Sequence, residues 1–441
     1  MNGNAQTDQI INDLTRHVRL NKGFLLWMTF LGAGLLVCLY AYTRQLRYGL
    51  GVAGIRDFVS WGLYLSNFVF FVATSLIGML ISAVLGLIGY KWAIHLSRIA
   101  EIIAVGFSAV AGLVIIMDMG RPERLTYVFI HARVQSPILW DVTVVTTYFV
   151  LCLLLWYLPL IPDLALAHTR MQGSPSWIRK IYKILSLNWT DKPEQNNILR
   201  RCVRILLFLT IPSALAIHTV TSWLFAVTHR PGWNSTIFGP YFVTGAFVAG
   251  TAAVIIAMYV YRKSYKLEKY LTDLQFDNMA KLLGLVLLVY LYFNINEYMV
   301  PGYKMERAEA YHIHSLFSGD HALMFWSVMT GGLLLPIILV FFKPMRKPLP
   351  LMWISVAVFV GSWFKRYIIV IPTQEHPFLP VQHYPREFMV YTPTLTEIGV
   401  TLFSFFLTLI IITILSKFFP IIPIKEAALE TAVESEPREK L

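Results

Sequence analysis

Two aspartates and an arginine stand where long apolar runs of the sequence end and begin. Asp118 closes one run, Asp141 lies in the first turn of the next, and Arg121 belongs to the connection between them. Charge close to hydrocarbon is costly, so such groups are normally paired or placed beside a cavity. We therefore predict that Asp118 and Asp141 are proton acceptors. Partial burial would raise the pKa of such a carboxylate and a nearby arginine would lower it, and the sequence leaves open which effect dominates.

One histidine, His218, lies well inside a later apolar run, whereas the others fall near run ends or in connections. A haem b held in a helix bundle usually needs two facing histidines. Haem binding is therefore not expected. Two interpretations of His218 stay open: a hydrogen-bonded histidine of the core, or a partner in proton or quinone chemistry.

Further ionisable residues stand near the ends of other runs: Glu101, Glu297, Lys365, Arg366 and Glu397. The predicted topology brings Glu297, Arg366 and Glu397 to the same membrane level as the two aspartates. Opposite charges at one depth can form a structural salt-bridge belt. They can also line a pocket that takes up and releases protons, which is the default hypothesis for ionisable residues within a membrane.

The composition is that of a membrane protein. The 441 residues are 56% hydrophobic and 14% charged, with a mean hydropathy of +0.60, whereas soluble domains carry about a quarter charged residues. Apolar runs of at least about 18 residues recur along the chain. The sequence thus predicts an all-α, polytopic membrane protein with about ten transmembrane helices.

The ten runs define three parts of the chain: a polar tail at 1–22, a transmembrane domain at 23–422, and a charged tail at 423–441 that we expect to be disordered. The predicted spans are, approximately, 23–43, 61–89, 99–118, 138–161, 203–227, 237–261, 279–300, 321–342, 350–371 and 394–419.

Ten spans place both termini on one side of the membrane. The connections and tails on that side hold more than twice as many lysines and arginines as those opposite, and such an excess marks the cytoplasm. We therefore expect cytoplasmic termini and an outward-facing connection between Asp118 and Asp141. The basic connections are explained by topology alone, with a lipid or partner role as the alternative.

Several classes of function lack their motifs. The three cysteines form no Cys-x-x-Cys pair, so zinc, iron–sulfur and disulfide frameworks are not supported. No Walker loop, nucleotide fingerprint or nucleic-acid-binding pattern occurs, so no redox centre and no nucleic acid is expected. Tryptophans near run ends fit an interfacial aromatic belt. For Trp223 we keep the alternative of a flat partner for an aromatic ligand.

Short motifs in a fixed order resemble the NrfD/PsrC-type membrane subunits of respiratory complexes, above all the ten-helix ActC/ActF subunits of alternative complex III. They run from the end of the third span to the tenth, and each is weak alone. The motifs are Gly-Arg-Pro at 120–122, Ser-Pro-Ile-Leu-Trp-Asp at 136–141, His-Thr-Val-Thr-Ser-Trp at 218–223, Pro-Gly-Trp at 231–233, Trp-Phe-Lys-Arg at 363–366, and Tyr-Thr-Pro-Thr at 391–394 with Glu397.

The resemblance implies two four-helix bundles plus peripheral helices, in a protein of the bacterial inner membrane without a covalently bound cofactor. Its substrate would be a quinone or quinol (menaquinone or ubiquinone). Its partners would be a periplasmic iron–sulfur subunit, a multihaem c-type cytochrome, other membrane subunits and lipids. The site residues that it implies are Asp118, Arg121, Asp141, His218 and Arg366. We predict that Asp118, Asp141 and His218 transfer protons, and that Arg121, Arg366, Trp223 and Glu397 bind the substrate.

Two positions depart from the family pattern: Leu224 replaces an acid, and Asn234 replaces a histidine. These departures favour an alternative, in which the subunit is structural or proton-conducting and has no quinone site of its own. A secondary transporter is a third hypothesis, because ten spans can form internal repeats. The sequence has no clear duplicated motif and no pair of broken helices, which argues against it.

Overall fold

The structure is a computed structural model that describes residues 11–18, 20–85, 91–170, 175–376 and 385–426. All regular structure in these residues is helical. We number the ten long segments in chain order: α1 (Lys22–Tyr48), α2 (Leu63–Ser75, continued by Ile77–Met79 and a π-helical turn Leu80–Leu85), α3 (Lys91–Asp118), α4 (Pro137–Tyr157, continued by Leu160–Arg170), α5 (Pro193–Ala226), α6 (Phe238–Ser264), α7 (Asp273–Lys304), α8 (Ala322–Phe341), α9 (Pro348–Val370) and α10 (Leu395–Phe418).

The helices have the lengths that a bilayer requires. Within the described residues, nine of them are long and apolar enough to cross a membrane. The remaining segment, α2, begins as a shorter apolar helix of 13 residues and continues to Leu85. The prediction of an all-helical, polytopic membrane protein is confirmed.

Helix contacts divide the domain into two bundles. The first bundle contains α2, α3, α4 and α5, and the second contains α6, α7, α8 and α9. The bundles meet where α2 and α5 pack on α6, and where α2 also packs on α9. Helices α1 and α10 form a peripheral pair, which packs on α3 through α10. This is the expected arrangement of two four-helix bundles with peripheral helices.

The starts of the helices follow from local sequence. Proline occupies the first turn of α4, α5 and α9, where its missing N–H costs no hydrogen bond. Capping boxes open α7 at Thr272 and α10 at Thr394, each completed by a residue three positions on. A proline inside α5, Pro212, removes one helical hydrogen bond in the middle of that span.

Glycines allow the closest helix contacts. A Cβ atom added at Gly250 of α6 would lie 2.4 Å from Ile77 of α2, at the boundary between the bundles. Within the second bundle, a Cβ atom on Gly361 would lie 2.7 Å from the Cα atom of Gly332. Small residues allow such close approach in membrane helices. These positions therefore bring α2 to α6, and α8 to α9.

Several helix boundaries differ from the predicted ones at the end of the molecule opposite to Asp118. The stretch predicted as a long connection between the fourth and fifth spans is largely helical: α4 continues to Arg170, a separate helix covers Ser176–Leu185, and α5 begins at Pro193. Its polar residues form contacts of their own, including an ion pair between Arg98 and Asp163 at 2.7 Å. Hydropathy misses these extensions because the helices continue beyond their apolar portions.

The two tails are only partly described. Residues 11–18 form helical turns with buried side chains, among them Ile11 and Val18, so this part of the N-terminal tail packs on the domain. Near the other terminus, the backbone N–H groups of Ile424 and Lys425 donate to Asp163. The rest of the tail that we predict to be disordered, 427–441, lies outside the described residues.

Candidate functional site

Hydrogen bonds between helix termini show which termini lie at the same end of the molecule. Gln45 at the end of α1 donates to the carbonyl oxygen of Met117 at the end of α3, over 2.6 Å. The indole of Trp233, before α6, donates to the carbonyl oxygen of Ile369 at the end of α9, over 2.7 Å. We call this end the carboxylate end, because four acids lie there: Asp118, Asp141, Glu297 and Glu397. The opposite end is the basic end.

Asp141 joins the fourth and fifth helices. It lies near the start of α4 and is buried. Its Oδ1 atom accepts a hydrogen bond of 2.6 Å from the hydroxyl of Thr221 on α5. Thr221 follows His218 by three positions, so the two share one face of α5, and both are buried. Asp141 and His218, two of the predicted proton-transfer residues, are therefore on helices that contact each other.

His218 is buried about two turns before the end of α5, and its Nε2 atom has no hydrogen-bond partner among the described residues. Arg366 of α9 is close enough to interact with it electrostatically. A buried polar atom without a partner is uncommon in proteins and calls for an explanation. The His218 side chain therefore has an unsatisfied ring nitrogen near the boundary of the bundles.

Arg366 is only 1% exposed. Its Nη1 atom donates to the hydroxyl of Tyr290 over 3.4 Å, and the guanidinium lies 5.6 Å from the ring centre of Phe242. The Nε and Nη2 atoms have no hydrogen-bond partner among the described residues. A Cβ atom added at Gly245 would lie 2.7 Å from Nη2, so that glycine makes room for the guanidinium.

Asp118 and Glu397 belong to a separate cluster beside the peripheral pair. Asp118 interacts electrostatically with Glu397, and both interact with Tyr64 of α2. The Tyr64 hydroxyl donates to Gln45 over 2.6 Å. This cluster therefore connects α1, α2, α3 and α10, outside the boundary between the bundles.

Glu397 is fully buried and well satisfied. It accepts hydrogen bonds from the backbone N–H groups of Gly54 at 2.8 Å and Thr394 at 2.9 Å, and from the hydroxyl of Tyr391 at 2.7 Å. Burial and the neighbouring carboxylate raise the pKa of Tyr391, so its hydroxyl remains a donor. These contacts fix the start of α10 and the chain before α2.

Two predicted binding residues lie apart from these groups. Trp223 is 47% exposed on the outer surface of α5, two positions from the buried Thr221. Arg121 is exposed in the connection after α3. The structure thus brings His218 near Arg366, Asp141 onto Thr221, and Asp118 near Glu397, but it leaves Trp223 and Arg121 outside. Their roles in binding stay predictions.

The second bundle contains a polar cluster in which the sequence singled out Glu297 and Lys365 only as ionisable residues near span ends, without assigning them a role in the site. It includes Lys365, whose amine donates to the hydroxyl of Tyr298 over 2.7 Å, and Glu297, which accepts from Ser235 over 2.9 Å. Tyr241 donates to Asn294 over 3.1 Å. The signal in the sequence was the helical spacing of polar residues on α7: Tyr290, Asn294, Glu297 and Tyr298.

Asn67 of α2 is a further buried polar residue that sequence reasoning missed. Its Oδ1 atom accepts from the indole of Trp363 over 2.8 Å, and its Nδ2 atom donates to Thr401 over 2.7 Å. Asn67 therefore connects the first bundle to α9 and α10. An asparagine in an apolar run gives little indication of such a bridging role.

Two small cavities, each with about 10 Å³ for the centre of a water-sized sphere, lie in or beside the second bundle. Gly232, Tyr241, Glu297, Tyr298, His312 and Thr373 help to line the first, which we call the histidine cavity. Tyr290, Asn294, Gly332, Gly361, Ser362 and Lys365 help to line the second, the glycine cavity. In the described part of the chain, no group of three or more His, Cys, Asp or Glu residues could hold a metal ion.

The fold and these contacts define a multi-pass helical membrane protein with buried polar groups at one end of two four-helix bundles. Residues 51–377 match the family model described as "Polysulphide reductase, NrfD". The chain belongs to the NrfD family, which confirms the resemblance of the sequence motifs.

Known relatives of this chain are membrane subunits of oxidoreductases. It is 28% identical to a putative membrane subunit of dimethyl sulfoxide reductase from Halobacterium salinarum, over 73% of this chain and 70% of the relative. It is 23% identical to the Hdr-like menaquinol oxidoreductase integral membrane subunit of Archaeoglobus fulgidus (90% and 92%). Identity is also 23% with the menaquinone reductase integral membrane subunit of Nitratidesulfovibrio vulgaris (91% and 92%).

Proposed function

We propose that this chain is the quinone-interacting membrane subunit of a periplasm-facing respiratory oxidoreductase complex. It exchanges electrons between a quinol and a neighbouring iron–sulfur subunit, with release or transfer of protons. Membership of the NrfD family supports this function, as do two relatives named for menaquinone or menaquinol. The quinone is a substrate, either menaquinone or ubiquinone, and no cofactor is covalently bound.

The observation that carries the proposal is the pair of open hydrogen-bonding groups near the boundary of the bundles. Among the described residues, the Nε2 atom of His218 and the Nε and Nη2 atoms of Arg366 have no partner. Quinone carbonyl oxygens accept hydrogen bonds, and quinol hydroxyls also donate them. A bound quinone head group would therefore satisfy groups that burial otherwise leaves without partners, at a cost of about 1–3 kcal/mol each.

Asp141 is the proposed acceptor for a proton released by the quinol. It is buried, and its carboxylate is oriented by Thr221, which lies one turn from His218 on α5. A carboxylate within reach of the reacting hydroxyl can act as a general base. In this proposal, His218 holds the quinone oxygen and Arg366 stabilises the negative charge that develops as the proton leaves.

The partners and the orientation are further parts of the proposal. We infer a periplasmic iron–sulfur subunit, a multihaem c-type cytochrome and other membrane subunits, as in a complex of the alternative complex III type. The basic end faces the cytoplasm of a bacterial inner membrane, because that end has the excess of lysine and arginine. The carboxylate end then faces the iron–sulfur partner.

The second candidate function is a structural or proton-conducting subunit that has no quinone site. It is favoured by the two departures from the family pattern, because Leu224 packs against the apolar core and Asn234 is exposed. Neither residue supplies the charge that the family pattern has there. In this case, the buried polar groups would hold helices together or carry protons for a partner.

The test is quinol-dependent electron transfer by the purified complex. We expect His218→Phe and Asp141→Asn to lower turnover by about a hundredfold, the typical effect of losing a positioned proton-transfer group. Glu123→Gln is the matched control, because Glu123 is an exposed acid at the same end, and its turnover should equal that of the unmodified complex. Unchanged turnover and inhibitor binding in Asp141→Asn would contradict the assignment.

A photoreactive quinone separates the two candidate functions. Labelling of this chain that is lost in His218→Phe supports the quinone site. Labelling confined to another subunit of the complex, with this chain unlabelled, supports the structural or proton-conducting role instead.

A further inference from the structure

Lys365 is the starting point of a second polar region. It is 2% exposed and lies on α9 inside the second bundle. Its ammonium group donates to the hydroxyl of Tyr298, and it lies 4.8 Å from the ring centre of Tyr298 and 5.6 Å from that of Phe325. No carboxylate of the described residues lies within salt-bridge distance of it. A buried lysine placed in this way is a functional candidate.

Glu297 is the acid whose charge influences Lys365. Each affects the ionisation of the other electrostatically, although no ion pair joins them. The Glu297 carboxylate is 8% exposed and accepts one hydrogen bond, from Ser235, among the described residues. Because an acid and an amine share this place without a direct contact, a proton can be held at either group.

Each of these groups borders one of the two cavities. Lys365 lines the glycine cavity, whereas Glu297 and Tyr298 line the histidine cavity. Each cavity offers about 10 Å³ for the centre of a water-sized sphere, which is about what one buried water needs. The polar lining of the histidine cavity offers the two to four partners that a buried water needs. These dimensions suit water and exclude a quinone.

His312 forms the far wall of the histidine cavity, on the helix Arg307–Phe317 outside the membrane spans. Its Nδ1 atom is buried and has no hydrogen-bond partner among the described residues. Burial, followed by the neighbouring His376, lowers the pKa of His312 to about 3. The imidazole is therefore neutral at neutral pH, with one nitrogen that can accept a proton and one that can give a proton up.

Further titratable groups continue from His312 along the carboxylate end. The ring of His376 lies 6.3 Å from that of His312, and Tyr311 packs edge-on against His376 at 4.0 Å. The Nε2 atom of His321 and a carboxylate oxygen of Glu375 lie within hydrogen-bond distance beside them, at 2.6 Å. Burial lowers the pKa of His376 to about 4. The cavity is thus followed by groups that can pass a proton towards the surface.

We propose that the second bundle contains a proton-exchange route, from Lys365 and Glu297 through water in the histidine cavity to His312 and the carboxylate end. The route is distinct from the quinone position at His218. It rests on the proposed function only in that quinol oxidation would supply the protons. Along it, water takes a proton from Glu297, His312 accepts a proton at one nitrogen, and its other nitrogen releases one outward. No electrons move and no co-reactant is consumed.

The test uses the full-length protein in lipid nanodiscs without any quinone. Infrared spectroscopy after an acidic pH jump follows the carboxylic C=O band that disappears in Glu297→Gln. We expect this band to respond about a hundredfold more slowly in His312→Phe, as for other lost proton-transfer groups. His314→Phe is the matched control, because His314 is exposed on the same helix, and its rate should equal that of the unmodified protein.

A second variant covers the case in which His312→Phe does not fold. His312→Gln keeps a polar side chain but removes the proton-carrying imidazole, so it should also be slow. Three results would overturn the proposal: no band assignable to Glu297, an unchanged rate in the His312 variants, or equal slowing in His314→Phe. Because quinone is absent, unchanged quinol turnover in the Asp141→Asn complex would contradict the proposed function without deciding this experiment.

Discussion

Two buried glutamates at the same end of the molecule have opposite surroundings. Glu397, beside the peripheral pair, accepts hydrogen bonds from Gly54, Tyr391 and Thr394. Glu297, in the second bundle, accepts one from Ser235 among the described residues and borders a cavity. The carboxylate oxygens of Glu397 are occupied by hydrogen bonds from fixed protein donors. The carboxylate of Glu297 can still accept hydrogen bonds from water.

The number of fixed hydrogen-bond donors around an acid distinguishes structural from functional acids more clearly than the depth of the acid in the membrane does. A carboxylate held by several backbone and hydroxyl donors stabilises a helix start, because removing it leaves those donors buried without partners. A carboxylate beside a cavity can change its protonation without breaking the fold. By this criterion, Glu397 mainly fixes α10, and Glu297 is the better candidate for proton exchange.

The largest expected effect is on stability, in Glu397→Ala. The change removes the capping box and leaves the donors of Gly54 and Tyr391 unpaired, at a cost of about 3–5 kcal/mol. We expect a much lower Tm in detergent, with little folded protein. Glu297→Gln is the comparison variant and should cost about 1 kcal/mol or less. Equal Tm losses in the two variants would remove the distinction between the acids.

A smaller effect on stability is expected at the bridge between the bundles. Asn67→Leu leaves the indole N–H of Trp363 without its partner, whereas the hydroxyl of Thr401 still donates to the carbonyl oxygen of Glu397. The change should cost about 1–3 kcal/mol. The double variant with Trp363→Phe should recover part of the loss, because one unpaired donor is removed as well. Thermal unfolding of the single and double variants measures this coupling, and strictly additive losses would show that the bridge is unimportant.

An effect on activity rather than stability is expected at Gly245. A methyl group there would lie 2.7 Å from Nη2 of Arg366, so Gly245→Ala should displace the guanidinium while keeping its charge. We expect about a tenfold loss of quinol turnover, equivalent to about 1.4 kcal/mol. Gly239→Ala, on the same helix, is the control, because its added Cβ would be 3.6 Å from Thr219. Equal turnover in both variants would show that the position of Arg366 is not important.

The smallest expected effect is at the basic end, at an ion pair whose two side chains are exposed. The ion pair of Asp191 with Lys425 spans 2.7 Å, and Lys425 and Asn196 lower the pKa of Asp191 below its ordinary 3.8. Its stabilisation is therefore present above that pH and lost as the pH falls through the lowered pKa. Asp191→Asn should cost less than about 1 kcal/mol at neutral pH. A larger loss of Tm would show that this end contributes more than its exposure suggests.

Much of the fold could be predicted from hydropathy, because long apolar runs have few alternatives to spanning helices. The sequence also predicted that Asp118, Asp141 and Glu397 lie at the same end of the molecule, because successive spans alternate in direction. The family motifs then indicated the two bundles. The helical stretch before α5 was missed, because its polar residues belong to a helix that extends past the apolar portion.

The faces of the helices could not be predicted. Trp223 and Thr221 are two positions apart, so they point to nearly opposite sides of α5, and only the structure decides which side is inside. A uniformly apolar span gives little information on its own rotation. The binding role of Glu397 stays a prediction, and its neighbour Gly54 comes from a distant connection that carries no periodic signal.

The contact between Gly332 and Gly361 limits how the second bundle can move. Backbone meets backbone there, with no side chain between α8 and α9, so the two helices slide or tilt only as a rigid pair. The glycine cavity lies against that pair, with α7 along its other wall. Because Val248 of α6 also lines this space, any widening of it must come from α6 or from α7, the helix that bears Glu297.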